Sequence, residues 1–196
     1  MSLTRTALTR TLAAVAASTL LLSACGSDEE TVAATPSPST AASTAPSEPA
    51  DPTECPLTAT EVPAPEGSTT DLATKPVVAG SQEPAPTELQ YADIVVGDGA
   101  EAVTGSQVAV KYVGAFYDSG EEFDSSWSRG AQETLPFGIC QQGVIPGFAV
   151  GPTGMKEGGR RLITIPSELG YGAAGQGTIP PDSALVFVVD LVSVTG

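Results

Sequence analysis

No histidine occurs anywhere in the 196 residues. That absence removes Ser-His-Asp and Cys-His nucleophilic arrangements and every zinc site built on imidazole. Cysteine is nearly as scarce: three residues, never in a CxxC spacing, give no redox or metal motif of that kind. Basic residues number eight against 23 acidic, a formal net charge of −15, and Arg160-Arg161 is the only adjacent basic pair. Phosphate backbones require a clustered basic surface, so nucleic acid is excluded as a partner. Aromatic residues make up only 5% of the chain, which limits it to one modest domain plus unstructured polypeptide.

What is present is unevenly spread. Eleven of the 17 prolines lie in the first 96 residues, whereas 18 of the 21 glycines follow them. Arg5 and Arg10 precede a short apolar run, Leu12 to Ala24, which is too short to span a bilayer and reads as a secretory signal over residues 1–24. Its end, Leu22-Ser23-Ala24-Cys25, resembles a bacterial lipobox with Cys25 as the lipidated residue. One acyl chain holds a protein to a membrane marginally and two hold it stably, so a diacylglyceryl group there would anchor the chain outside the cytoplasmic membrane. Residues 25–87 are rich in Ser, Thr, Ala, Pro and acids and have few large apolar side chains. Such a segment cannot offset the entropy of ordering and is expected to be a disordered tether, with a reach of about 40–45 Å. If Cys25 is lipidated, Cys55 and Cys140 remain as an even pair in an oxidising compartment; a Cys55–Cys140 bridge, two free thiols and pairing to other chains all stay open.

Beyond residue 88 the pattern is mostly strand. Gln90–Val96, Gln107–Phe116, Arg160–Ile165 and Ala184–Val194 alternate or run apolar between Gly, Pro and Asp, and Asp118-Ser119-Gly120 is a hairpin turn before a short strand near Glu122-Phe123. The one helix candidate runs from Pro146 to about Val150, confined by Gly151 and Pro152. Gly97-Asp98-Gly99 with Ala102 fits a loose nucleotide fingerprint, but a strand rather than a helix follows, so it reads as a turn. Asp118, Glu121 and Glu122 read as acidic turn residues rather than a glycosidase pair.

The segments VKYVGAFYDSGEEFDSSWSRG, GVIPGF, GMKEGGRRLITIP, LGYGAAGQGTIPP and LVFVVDLVSV follow in order between Val110 and Val194. Their motifs and intervals resemble the FKBP family of peptidyl-prolyl isomerases over Glu88 to Val194. The resemblance implies an α+β domain over 88–196, a twisted antiparallel sheet of about five strands wrapped round one short helix. It implies that Tyr112, Phe123, Phe148, Ile179 and Phe187 surround a proline ring, that Val144 and Ile145 form a rim, and that the Ile145 N–H donates to the substrate carbonyl. Tyr171 would offer its hydroxyl, and Asp124 would sit at the pocket edge, oriented by Tyr112 and Arg129.

Three features depart from the family pattern. Phe148 stands where tryptophan is usual, and the aromatic wall position of the PFTF-like segment falls on Glu133 in QETLPF, with Leu135 following. Pro152 also falls where the helix would continue. Trp127 is expected in a surface loop outside the pocket.

Such a pocket needs no cofactor and no metal. Peptide-bond rotation has a barrier of about 18–20 kcal/mol because resonance holds the amide flat; the twisted transition state has lost that resonance and tolerates a dry site better than the planar form. The implied partners are proline-containing polypeptides and macrolides of the FK506 type, met by a monomer. The alternative is a proline-peptide-binding or chaperone-like module with little turnover.

Overall fold

The structure, a computed structural model, describes residue 55 and residues 57–130 and 132–196. The signal segment and Cys25 lie outside the described residues. Seven strands form one sheet in the order β1-β2-β6-β7-β3-β4, with β5 also on β3. They are β1 (Thr60–Glu61), β2 (Gln90–Val95), β3 (Gln107–Phe116), β4 (Glu122–Ser125), β5 (Leu135–Gly138), β6 (Arg160–Ile165) and β7 (Leu185–Thr195), and α1 (Pro146–Val150) is the one α-helix among the described residues. Every pairing is antiparallel except β1 on β2, which is parallel. The expected count of about five strands is exceeded by β1 and β5. β4 and β5 share one edge of β3, pairing with Val113–Ala115 and Gln107–Val110 in turn.

Strand alternation sends neighbouring side chains to opposite faces. On one face Val110, Tyr112, Ile163, Ile165, Phe187 and Val189 form the main core beneath α1. On the other, Val113, Ala115, Val186 and Val188 pack with Val78, and Trp127 lies partly buried against them. The continuous apolar run of β7 is therefore buried on both sides.

The second face corrects the expected tether. Residues 57–87 do not hang free; they lie on the sheet. Hydrophobic burial alone would not hold so polar a segment, and the contacts that do hold it are of other kinds. Cys55 is disulfide-bonded to Cys140, with Cα atoms 5.6 Å apart. β1 adds to the edge of β2, and Lys75 pairs with Glu122 at 2.7 Å. Arg160 donates from Nη1 to the carbonyl oxygens of Thr69 and Asp71 and from Nη2 to that of Thr74, while Nε and the same Nη2 hold Asp190 at 2.5 and 2.7 Å.

Arg161, the next residue, faces the helix side. It donates to the carbonyls of Gly151 and Thr153 just after α1, pairs with Asp93 on β2, and stacks on Tyr91 at 4.0 Å. Both guanidiniums of the basic pair are thus interior fastenings, and Arg160 is wholly buried.

Candidate active site

α1 is only five residues long, yet it sets the base of the site. Ile145 precedes it in extended conformation, Pro146 occupies its first turn, and the N–H groups of Phe148 and Ala149 both bond the Ile145 carbonyl. A Cβ on Gly147 would lie 2.5 Å from Ile165 Cγ2, and one on Gly151 would lie 2.6 Å from Ile163 Cδ1. Glycine at these two points lets the helix lie flat on β6 and turns Phe148 into the core. Gly114 does the same service on β3: a Cβ there would meet Phe187 Cε1 at 2.7 Å and Phe123 Cζ at 2.9 Å. The rings converge because that position is empty.

Phe148 stands at the centre of the aromatic group. Its ring lies 4.9 Å from Phe187 and 5.7 Å from Tyr112, both edge-on, and 5.2 Å from Phe137. Phe123 meets Phe187 edge-on at 5.7 Å. Edge-to-face rings at these distances are favourable arrangements and leave little room for rearrangement. Above them opens a cavity of about 160 Å³. Tyr112, Phe123, Asp124, Val144, Ile145, Phe148, Tyr171 and Phe187 all line it.

Two residues line it that sequence reasoning did not assign, Leu135 and Gly143. Leu135, at the start of β5, takes the wall position expected of Glu133, which is exposed. Ile179 is not among the lining residues. It is buried in the core beside them, fixed by paired backbone hydrogen bonds with Gln176. Arg129 also stays outside the cavity and acts on its edge. Trp127 lies in a 3₁₀ turn on the second face, beneath the Lys111 ammonium at 4.7 Å.

The polar edge is a closed triangle. Tyr112 donates its hydroxyl to Asp124 Oδ2 at 2.5 Å, Arg129 donates to Asp124 Oδ1 at 2.6 Å, and Arg129 also donates to the Tyr112 oxygen at 2.8 Å. Burial pushes the Tyr112 phenol above its ordinary value, and the hydrogen bond to Asp124 adds to that. Burial also works to raise Asp124, but the bonds from Tyr112, Arg129 and the Ser125 N–H outweigh it and hold the carboxyl below its usual range. Tyr171 is raised by burial, with a further contribution from Asp124. The Ile145 N–H finds no acceptor among the described residues. A donor without a partner therefore sits at the rim of an apolar cavity.

Tyr112→Phe tests the triangle. A carboxyl depressed in the folded state contributes stability above its unfolded pKa, and that contribution is lost as pH falls through the lower folded value. Removing the phenolic donor should raise the Asp124 pKa in an NMR titration. It should also shrink the variant's loss of stability on going from pH 7 to pH 3 by a few tenths of a kcal/mol, since the Asp124 carboxylate is about half exposed. Turnover should fall about 2–5-fold, the worth of one hydrogen bond at about 0.5–1 kcal/mol.

The architecture is that of a small sheet-and-helix domain whose aromatic cavity has the size and lining to take a compact apolar ring. Residues 99–192 match the family described as FKBP-type peptidyl-prolyl cis-trans isomerase. The chain is 47% identical over 119 residues to a probable FK506-binding protein of Corynebacterium glutamicum, covering 61% of this chain and 98% of that one. It is 48% identical over 111 residues to an FK506-binding protein of Streptomyces anulatus, covering 56% and 88%. Among solved structures, FkpA from Escherichia coli aligns with a TM-score of 0.50 at 40% identity, over 63% of this chain and 54% of that one. The chain belongs to the FKBP-type peptidyl-prolyl cis-trans isomerase family.

Proposed function

We propose that this protein catalyses cis-trans isomerisation of exposed X-Pro bonds in exported polypeptides, as a monomer held outside the cytoplasmic membrane by a lipid on Cys25. The observation that carries the catalytic reading is the convergence of Tyr112, Phe123, Phe148 and Phe187 on one cavity beside an Ile145 N–H that has no acceptor among the described residues. The proline ring enters over Phe148, and the Ile145 N–H takes the carbonyl of the bound chain. Water is excluded from the amide, so the planar form loses solvation of its charge-separated resonance, while the twisted form, with less charge on oxygen, loses less. No proton has to move. Asp124 is held ionised at the edge by Tyr112 and Arg129, where it orients the Tyr112 ring rather than acting as an acid.

The location rests on the apolar N-terminal run that ends in Leu-Ser-Ala-Cys. The Cys55–Cys140 bridge supports it, since disulfides persist in oxidising compartments. Uncatalysed X-Pro isomerisation takes tens to hundreds of seconds, slow enough to limit the folding of a newly exported chain.

The test is protease-coupled or exchange-NMR isomerisation of short X-Pro peptides. Acceleration that is competed away by an FK506-type macrolide is expected. Binding of the same peptides without acceleration would overturn the reading in favour of a proline-binding module.

A further inference from the structure

Gly143 and Val144 form a two-residue ridge at the edge of the aromatic cavity, and on its far side lies a second groove of about 260 Å³. Both residues line both spaces. The helix supplies Pro146, Ala149 and Val150 to the groove, while Leu57 and the Cys55–Cys140 bridge form its outer wall. Cys55 and Leu57 lie before the matched residues 99–192, so their part of that wall is an addition of this chain's N-terminal segment to the site.

No residue lining the groove carries a charge, in a chain of net charge −15. The contrast within the molecule is sharp. A larger depression of about 580 Å³ around Pro180 and Pro181 is edged by Glu83, Asp118, Glu121 and Asp182.

We propose that the groove is a subsite for an apolar side chain of the substrate polypeptide, so that the enzyme selects X-Pro bonds with a leucine-, isoleucine-, valine- or phenylalanine-class residue a few positions from the proline. The inference rests on the isomerase reading and specifies its substrate class. Continuity fixes the occupant: a chain whose proline sits over Phe148 and which leaves across Val144 reaches the groove within a few residues, at about 3.3–3.6 Å each. Chemistry fixes the side chain. An apolar group gains by leaving water there, whereas a charged one would lose hydration with nothing in the lining to pair it. Leu57 sets the groove's width, and the disulfide fixes Leu57 to the loop that carries the ridge.

The experiment measures kcat/KM of the full chain by exchange NMR on peptides with one proline. Leucine or serine is placed in turn at each of the four positions on either side. Leucine at one position should raise kcat/KM roughly 5–20-fold through KM, the range available to a pocket that reads a few methylenes. Leu57→Ser should erase that preference, so that the variant turns the leucine peptide over no faster than the all-serine peptide. Gln142→Lys, at an exposed rim position, should erase it without altering the N-terminal segment.

No leucine preference at any position, or one that survives both substitutions, would overturn the proposal. Should the protein accelerate no peptide at all, the isomerase reading fails on its own. Methyl shifts at Leu57 and Val150 on titration with leucine against serine peptide then read the groove, and methyls that stay still overturn it. Shifts that appear with protein concentration alone, or only after residues before Cys55 are removed, would assign the groove to a second copy or to the chain itself and overturn it equally.

Discussion

Replacing Arg160 by alanine should lower the unfolding free energy by about 3–5 kcal/mol, because it strands a buried partner rather than merely deleting a contact. Asp190 is 6% exposed and is held by two guanidinium nitrogens. Without them its carboxylate remains in the interior of β7 with no cation. The same change frees the carbonyls of Thr69, Asp71 and Thr74 from their shared donor. Thermolysin should then cut between residues 69 and 80 well before the rest of the domain, and hydrogen exchange should accelerate on the face covered by Val78. The double variant Arg160→Met with Asp190→Leu should recover most of the stability, since a buried pair replaced by apolar residues is often neutral or better. It should not recover the resistance to thermolysin, because methionine cannot donate to the three carbonyls. A single Arg160→Ala variant that unfolds within 1 kcal/mol of the parent would refute this role.

Arg160 also explains where sequence reading succeeded and where it failed. Strands β3 and β6 and helix α1 fall on the bounds that alternation, glycine and proline predict, because each is bounded by strong local signals. β5 is missed because Leu-Pro-Phe-Gly is four residues long and carries a proline, whose side chain is tolerated there only because Pro136 is exposed at an edge. The capture of residues 57–87 is missed for another reason. It depends on a disulfide, one buried guanidinium and single apolar residues such as Leu57 and Val78, none of which produces a periodic signal.

One clue was available. Leu185 to Val189 is a continuous apolar run, and an antiparallel strand with one face in water should alternate. Such a run demands cover on the second face, and Val78, from before residue 88, supplies part of it beside Trp127. The aromatic cavity was largely legible because its motifs fix spacing. The wall position that Leu135 fills was assigned to Glu133, two residues earlier, since the segment before β5 has no periodic pattern to set the register.

Phe148→Ala should have the largest effect on turnover, roughly 30–150-fold in kcat/KM, with a stability loss of about 3–5 kcal/mol. The first figure follows from about 2–3 kcal/mol of apolar burial withdrawn from the bound ring, at 1.36 kcal/mol per factor of ten. Phe148 touches Tyr112, Phe137 and Phe187, so its loss opens the cavity into the core and lets water reach the amide. A hydrated planar amide regains the solvation that the dry site denies it, and the barrier returns toward its value in solution. Phe148→Leu separates dryness from aromaticity. Leucine fills most of the volume and keeps water out but ends the edge-on ring contacts, worth about 0.5–1.5 kcal/mol each. It should cost stability on that scale while reducing kcat/KM less than about fivefold, within 1 kcal/mol of barrier. If leucine proves as damaging to turnover as alanine, the ring itself rather than the exclusion of water drives the reaction, and the desolvation account is wrong.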